Sequence, residues 1–279
     1  MKTISTVYSE LKDILRKLYS SREAENIAKI YFEDKYNIKS INDNIFPPEF
    51  SKIIIEDIER FKNGEPVQYI TGKAFFYDNF FKVDSSVLIP RPETELLVDL
   101  AIKYAKNIKS PGIIDIGTGS GCIALSIAQK VTSSEILAID ISPAALKTAN
   151  ENKDFLQIRN VVFTRSDFLK KSERDGLGDF DMIVSNPPYI SPVEKKYMTD
   201  STLKFEPDIA LFPDSSNHMI FYEKIIDFAE NNLRKNGIVI CEINEFRVKE
   251  IKDIVSVSSF KFDIIEDMQN KPRILKLWK

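Results

Sequence analysis

"IIDIGTGSGCIAL", residues 113–125, decides how the chain is read. A short β-branched run ends at Asp115 and Ile116, glycines alternate at Gly117, Gly119 and Gly121, and an apolar helical pattern begins at once. This is a strand turning directly into a helix. Glycine permits positive φ and close approach of backbone to a ligand, and such a turn aims the first amides of the helix outward. The spacing is G-x-G-x-G, because Cys122 stands where a pyrophosphate-binding dehydrogenase turn carries its last glycine. Gly117, Thr118, Gly119, Ser120 and Gly121 are therefore candidate cofactor contacts. Asp115, two residues before the first glycine, is expected near a cationic or ammonium-bearing part of the ligand.

Outward from this turn, strand and helix patterns alternate. "EILAID" (135–140), "NVVFTRSD" (160–167), "FDMIVSNPP" (180–188) and "GIVICEI" (237–243) are short apolar runs, and helical periodicity fills the intervals, as in "MIFYEKIIDFAENNL" (219–233). Repeated β-α-β of this length predicts an α/β fold, with a largely parallel sheet, helices on both faces, and ligands beyond the carboxyl ends of the strands. "FKFDIIEDMQNKPRILKLWK" (260–279) reads as two further strands joined by a turn, an antiparallel edge. Upstream, Leu11, Ile14, Leu15 and Leu18, and again Ile53, Ile54, Ile55, Ile58 and Phe61, recur at helical intervals, with the break "NDNIFPP" (42–48) between them. A small helical bundle is expected over residues 1–73 and a hairpin-like connector over 74–95, with most of its aromatics packing as core. The α/β domain then covers 96–279.

Composition bounds the function. The 279 residues are 43% apolar and 29% charged, as in a globular protein. A net charge of -3 and a pI near 5.5 speak against a protein that holds long nucleic acids by neutralising phosphates. The first thirty residues mix charges without an apolar signal core, and no window offers about 18 uncharged apolar residues, so a cytoplasmic protein without membrane association is expected. Cys122, Cys241 and the single His218 have no metal-ligand spacing; no metal site is expected, the thiols are expected to be buried and inert, and His218 is expected on the surface.

Three more strand ends carry chemistry. Asp140, nineteen residues beyond Gly121, closes "EILAID", where a carboxylate can accept from both hydroxyls of a ribose. In "SDF" (166–168), Asp167 can accept from an adenine amino group and Phe168 can lie on the base, although a helix N-cap also accounts for Asp167. "IVSNPPYI" (183–190) ends a strand with two prolines between an asparagine and a tyrosine. Pro187 and Pro188 lack N–H groups, so this turn offers mainly carbonyl oxygens, and the Asn186 side chain adds another acceptor. Asn186, Pro187, Pro188 and Tyr189 thus form a candidate clamp for a planar –NH2 group, held through its hydrogens with Tyr189 on its flat face. Asn186, Pro187 and Tyr189 are the candidate catalytic residues, Asn186 also facing the cofactor.

In this order the motifs resemble those of class I S-adenosylmethionine-dependent methyltransferases, over roughly residues 110–245. Beyond that shared core, "GEPVQYITG", "FFKVDSSVLIPRPETELLV", "IVSNPPYI" and "KFEPDIAL" closely resemble the release-factor glutamine methyltransferases (HemK/PrmC family), over about residues 64–213. The resemblance implies a Rossmann-like methyltransferase domain after a substrate-docking helical domain. It also implies S-adenosyl-L-methionine as cofactor and S-adenosyl-L-homocysteine as product. The implied acceptor is the glutamine amide of the Gly-Gly-Gln loop in class I peptide chain release factors. Pro90 and Arg91 then match the segment that approaches the cofactor's methionine end, and Glu93 and Glu95 either join them or cap the following helix. The chain departs from the family pattern at "FPDSSNHM" (212–219), at Asn244, and at "DMQNKPR" (267–273), where glycines are usual. A ribosomal-protein glutamine is the alternative acceptor, and a nucleic-acid amino group a more distant one.

Overall fold

The computed structural model describes residues 2–213 and 217–279. The chain forms two compact units, one of residues up to Lys73 with Thr199–Phe205, the other of Ala74–Met198 with Glu206–Lys279. The first unit is helical: Ile4–Leu15, Ser21–Tyr36, Ser51–Lys62 and Val67–Thr71 are α-helices. Thr3 and Ser20 cap the first two by accepting from Thr6 N and Glu23 N, and left-handed Asn37 ends the second. Inside, the Tyr31 hydroxyl donates to the buried Asp57 at 2.8 Å, while Lys35 and Arg60 balance that carboxylate at 3.2 and 3.3 Å. Residues 199–205, expected in the α/β region, group with this unit, where Ser201 Oγ donates to Gly64 O at 2.7 Å.

The second unit opens with β1 (Lys73–Phe76, whose first residue belongs to the helical unit) and β2 (Asn79–Lys82), joined by Tyr77 and Asp78, both at positive φ (45° and 64°), as a tight hairpin turn requires. Alternation divides its aromatics: Phe76 and Phe81 are buried in the core, whereas Phe75 and Phe80 are exposed.

The main sheet has seven strands: β3 (Gly112–Ile116), β4 (Glu135–Asp140), β5 (Val161–Arg165), β6 (Phe180–Ser185), β7 (Leu233–Glu242), β8 (Lys261–Glu266) and β9 (Pro272–Trp278). Their order is β5-β4-β3-β6-β7-β9-β8. The pairs from β5 to β7 are parallel, and β9 joins β7 and β8 antiparallel, as expected for the edge. Side-chain alternation builds a core on each face. Met182, Val184, Ile238 and Ile240 face the helices Glu95–Ala105 and Cys122–Lys130; Ile183, Val239 and Cys241 face Ile220–Asn232 and Val248–Ser256. Both cysteines are buried, as expected, and burial pushes the Cys122 thiol up to about 12. His218 is half-buried rather than a free surface residue, paired with Glu250 at 2.8 Å. In the variant stretch 212–219, Asp214, Ser215 and Ser216 lie outside the described residues. No helix among the described residues is long and apolar enough to cross a membrane.

Gly121 ends the glycine turn at φ +80°, and a Cβ there would stand 2.9 Å from the Phe163 ring and 3.1 Å from Leu125. It is the residue that lets helix Cys122–Lys130 lie on the sheet. Gly121→Ala is expected to cost about 2–4 kcal/mol in urea unfolding, adding overpacking to left-handed strain. Gly117→Ala, at φ +74° with nothing within 4 Å of its Cβ position, should cost only about 1–2 kcal/mol.

Candidate active site

The chain lays β4 and β5 on one side of β3, then crosses to place β6 on the other. Beyond the carboxyl ends at such a reversal, adjacent loops leave the sheet in opposite directions and open a crevice. Here the two loops are the glycine turn after β3 and Asn186–Tyr189 after β6. Register aligns them: Ile116 pairs with Ser185, and Ser185 Oγ donates to Ile116 O at 2.7 Å. A cavity of about 380 Å³ occupies the crevice, within the range of small-molecule sites. Of the sequence-predicted residues, Pro90, Arg91, Gly117, Thr118, Gly119, Ser120, Asp140, Asp167, Phe168, Asn186 and Pro188 line it.

The glycine turn is held by its neighbours. Gly117 N and Thr118 N donate to Ile139 O at 2.9 and 3.0 Å, and Gly119 N donates to Asp140 Oδ2 at 2.9 Å. Asp140 Oδ1 accepts from Ser142 N at 2.9 Å. Two backbone amides thus fix the Asp140 carboxylate at the cavity wall, each oxygen keeping capacity for another donor. Burial raises its pKa against the pull of those amides. A Cβ on Gly117 or Gly119 would meet nothing within 4 Å, so both leave open space beside the backbone. Across the crevice, Asn186 Nδ2 donates to Thr94 Oγ1 at 3.2 Å, and no hydrogen bond among the described residues ends on Asn186 Oδ1. Thr94 Oγ1 donates to Glu242 Oε2 at 2.6 Å, and the Tyr189 hydroxyl donates to Glu242 Oε1 at 3.0 Å.

Residues 109–271 match the family model described as "Methyltransferase domain". The chain is 32% identical over 287 residues to the release factor glutamine methyltransferase of Flavobacterium psychrophilum, covering 98% of each. It is 42% identical over 232 residues to that of Lactococcus lactis subsp. lactis, covering 81% of this chain and 82% of that one. The chain belongs to the release factor glutamine methyltransferase family. Its fold is also similar to the hMettl16 catalytic domain, at a TM-score of 0.56 and 14% identity, over 71% of this chain and 74% of that one. As a member of this family the protein is an S-adenosylmethionine-dependent methyltransferase.

Within this methyltransferase several predicted residues stand elsewhere than expected. Asp115 does not line the cavity. On β3 it alternates with Ile114 and Ile116, so its side chain points beneath the turn, fully buried, where Oδ2 accepts from Thr118 Oγ1 at 2.6 Å and Oδ1 has no hydrogen-bond partner among the described residues. Gly121 likewise faces the core. Pro187 is buried behind the wall, and Tyr189 packs on the core with its phenol pKa driven well up by burial and by Glu242. Phe168 lines the cavity, but its ring is only 4% exposed, edge-on to Phe228 at 5.6 Å under the Arg174 guanidinium. Asp167 accepts from Leu169 N at 3.1 Å and pairs with Lys170 at 3.2 Å. Glu95 caps no helix; it accepts from Tyr77 N at 3.0 Å and holds the hairpin turn.

Glu206, Thr94 and Glu242 escaped sequence reasoning. Glu206 accepts from Arg91 and, at 3.3 Å, from Ile89 N, clasping the connector at the cavity rim. Its signal was available in "KFEP", a charged residue beside a proline within a matched motif. Among the described residues no group of three His, Cys, Asp or Glu is placed to hold a metal ion.

Burial pushes the Asp115 carboxyl up to about 7 from its ordinary 3.8. A raised acid pKa means that the folded chain retains a proton the unfolded chain has lost. Stability should therefore fall as pH rises from about 4 to about 7 and level off above. Thermal melts of Asp115→Asn should lack this component of the pH dependence.

Proposed function

We propose that the protein methylates the side-chain amide nitrogen of the glutamine in the Gly-Gly-Gln loop of class I peptide chain release factors, using S-adenosyl-L-methionine and leaving S-adenosyl-L-homocysteine. The observation that carries this reading is Asn186, whose amide is tethered through Nδ2 and keeps Oδ1 as a free acceptor on the cavity wall. The residues present fit the cofactor. Asp140 offers a fixed carboxylate for a diol, the glycine turn leaves space against the backbone, and the buried Ser120 and Ser166 hydroxyls on the cavity wall have no hydrogen-bond partner among the described residues. When bound, S-adenosylmethionine supplies an electrophilic methyl on a sulfonium.

The chain's own task is to aim a poor nucleophile. An amide nitrogen donates its lone pair into the carbonyl, and among the described residues the cavity-lining carboxylates Asp140 and Asp167 are held by backbone amides. Asn186 Oδ1 accepts one amide hydrogen, which stops the planar amide from swinging about the carbon–carbon bond that carries it and returns electron density to the nitrogen. Pro187 and Pro188 contribute no competing N–H. The surplus proton leaves as the nitrogen becomes methylated. Arg91, tied to Glu206, closes the rim. The helical unit serves as the docking element for the protein acceptor, since binding away from the reacting amide orients the loop.

Labelled methyl transfer with purified release factor, its Gln→Ala loop variant, ribosomal protein and nucleic acid as competing acceptors tests the assignment: only the intact release factor should be labelled. Asp140→Ala should weaken S-adenosylmethionine binding by about 1.5–3 kcal/mol in calorimetry. Asn186→Ala should lower turnover at least ~100-fold while changing cofactor affinity far less.

A further inference from the structure

Shape alone does not make Asn186 an acceptor. The two ends of a primary amide are nearly the same size, so a flipped side chain would fill the same space and present Nδ2–H hydrogens to the incoming amide. Something directional must choose. Glu242 sits on β7, 2% exposed, its backbone fixed by pairing with Ile274 and by the Tyr222 hydroxyl, which donates to Glu242 O at 3.0 Å. Burial raises its pKa against the pull of the Thr94 and Tyr189 hydroxyls and of Arg273, and each of its two oxygens accepts from one of those hydroxyls. Thr94 has one hydroxyl proton, and that proton is committed to Glu242 at 2.6 Å. What Thr94 then shows Asn186 is a lone pair. Asn186 meets it with Nδ2, and Oδ1 is left for the cavity. The second oxygen of the same carboxylate takes the Tyr189 proton at 3.0 Å.

We infer that Glu242 and Thr94 are positioning residues, a relay in which one buried carboxylate sets the polarity of the Asn186 amide and anchors Tyr189. The inference rests on the reading of Asn186 as the acceptor for the substrate amide. Its reach is the direction of a hydrogen-bond chain that joins residues 94 and 242 to the turn of residues 186 and 189, three segments far apart in sequence and brought together by the fold.

The test uses the full-length protein as wild type, Thr94→Val, Thr94→Ser and Glu242→Gln. Steady-state transfer to release factor is combined with cofactor calorimetry and with the Asn186 side-chain amide signals in 1H–15N spectra, assigned by their loss in Asn186→Ala. Thr94→Val should lower kcat ~30-fold with KM and cofactor affinity within ~3-fold, and Thr94→Ser should recover most of the rate. The Asn186 signals should move in Thr94→Val and stay in Thr94→Ser. Glu242→Gln, which can donate to Thr94 and reverse the chain, should lose kcat as Thr94→Val does. A Thr94→Val enzyme at wild-type kcat, or with unmoved Asn186 signals, overturns the relay. Should Thr94→Val fail to fold, a Glu242→Gln enzyme of wild-type kcat does so instead. If wild type leaves release factor unmethylated, the functional reading falls while the Asn186 spectra still decide the relay.

Discussion

The site depends on one alignment, the pairing of Ile116 with Ser185 at the carboxyl ends of β3 and β6. Parallel strands carry no hairpin to set their register, so it must come from burial on both faces and from the Ser185 hydroxyl bound to Ile116 O. With it, the glycine turn and the Asn-Pro-Pro-Tyr turn begin at one level and diverge around a shared crevice. A slip of one residue would exchange the faces to which Asp115 and Ile116, both buried, point and would carry Asn186 away from Thr94.

Around that alignment the polar groups divide by distance from the cavity. Asp140 is at the wall, held by amides of two turns. Asp115 and Glu242 lie in the layer behind, almost without solvent exposure, and each accepts from a threonine that does line the cavity, Thr118 and Thr94 respectively. The threonines translate buried charge into an oriented neutral surface. Asp140 and Asp167 are thus the carboxyl groups on the wall itself, while Asp115 and Glu242 reach the crevice only through the hydroxyls that they orient.

Local patterns made much of this legible. The strand–glycine–helix signature of 113–125, the alternation that follows, and the antiparallel edge at 260–279 are short-range features with their own periods, and each appears in the structure where the sequence put it. The place of Asn186 on the cavity wall was legible because two prolines beside an amide close a strand with acceptors and without donors. Legibility ended where a residue's role depends on a distant partner. Nothing near Thr94 announces Asn186 and Glu242, 92 and 148 positions away. Gly121 looked like a ligand glycine because flexibility serves a phosphate-style turn and a tight helix–sheet contact equally well, and only the nearness of Phe163 separates them. Asp115 looked cavity-facing because position along a strand shows how far a residue lies toward its end, whereas the face it points to depends on what packs there.

The Glu206 clasp bears on how the chain is made. Its carboxylate closes contacts to residues 115 and 117 positions earlier in the chain, loops whose closure entropy is among the larger ones in the domain. A polypeptide synthesised from its N-terminus has the connector and the glycine turn in hand well before Glu206 emerges. The rim segment Ile89–Arg91 thus spends the intervening elongation without its anchor. The rim of the crevice can therefore be fixed only after Glu206 has been made, 21 residues beyond Ser185 at the end of β6.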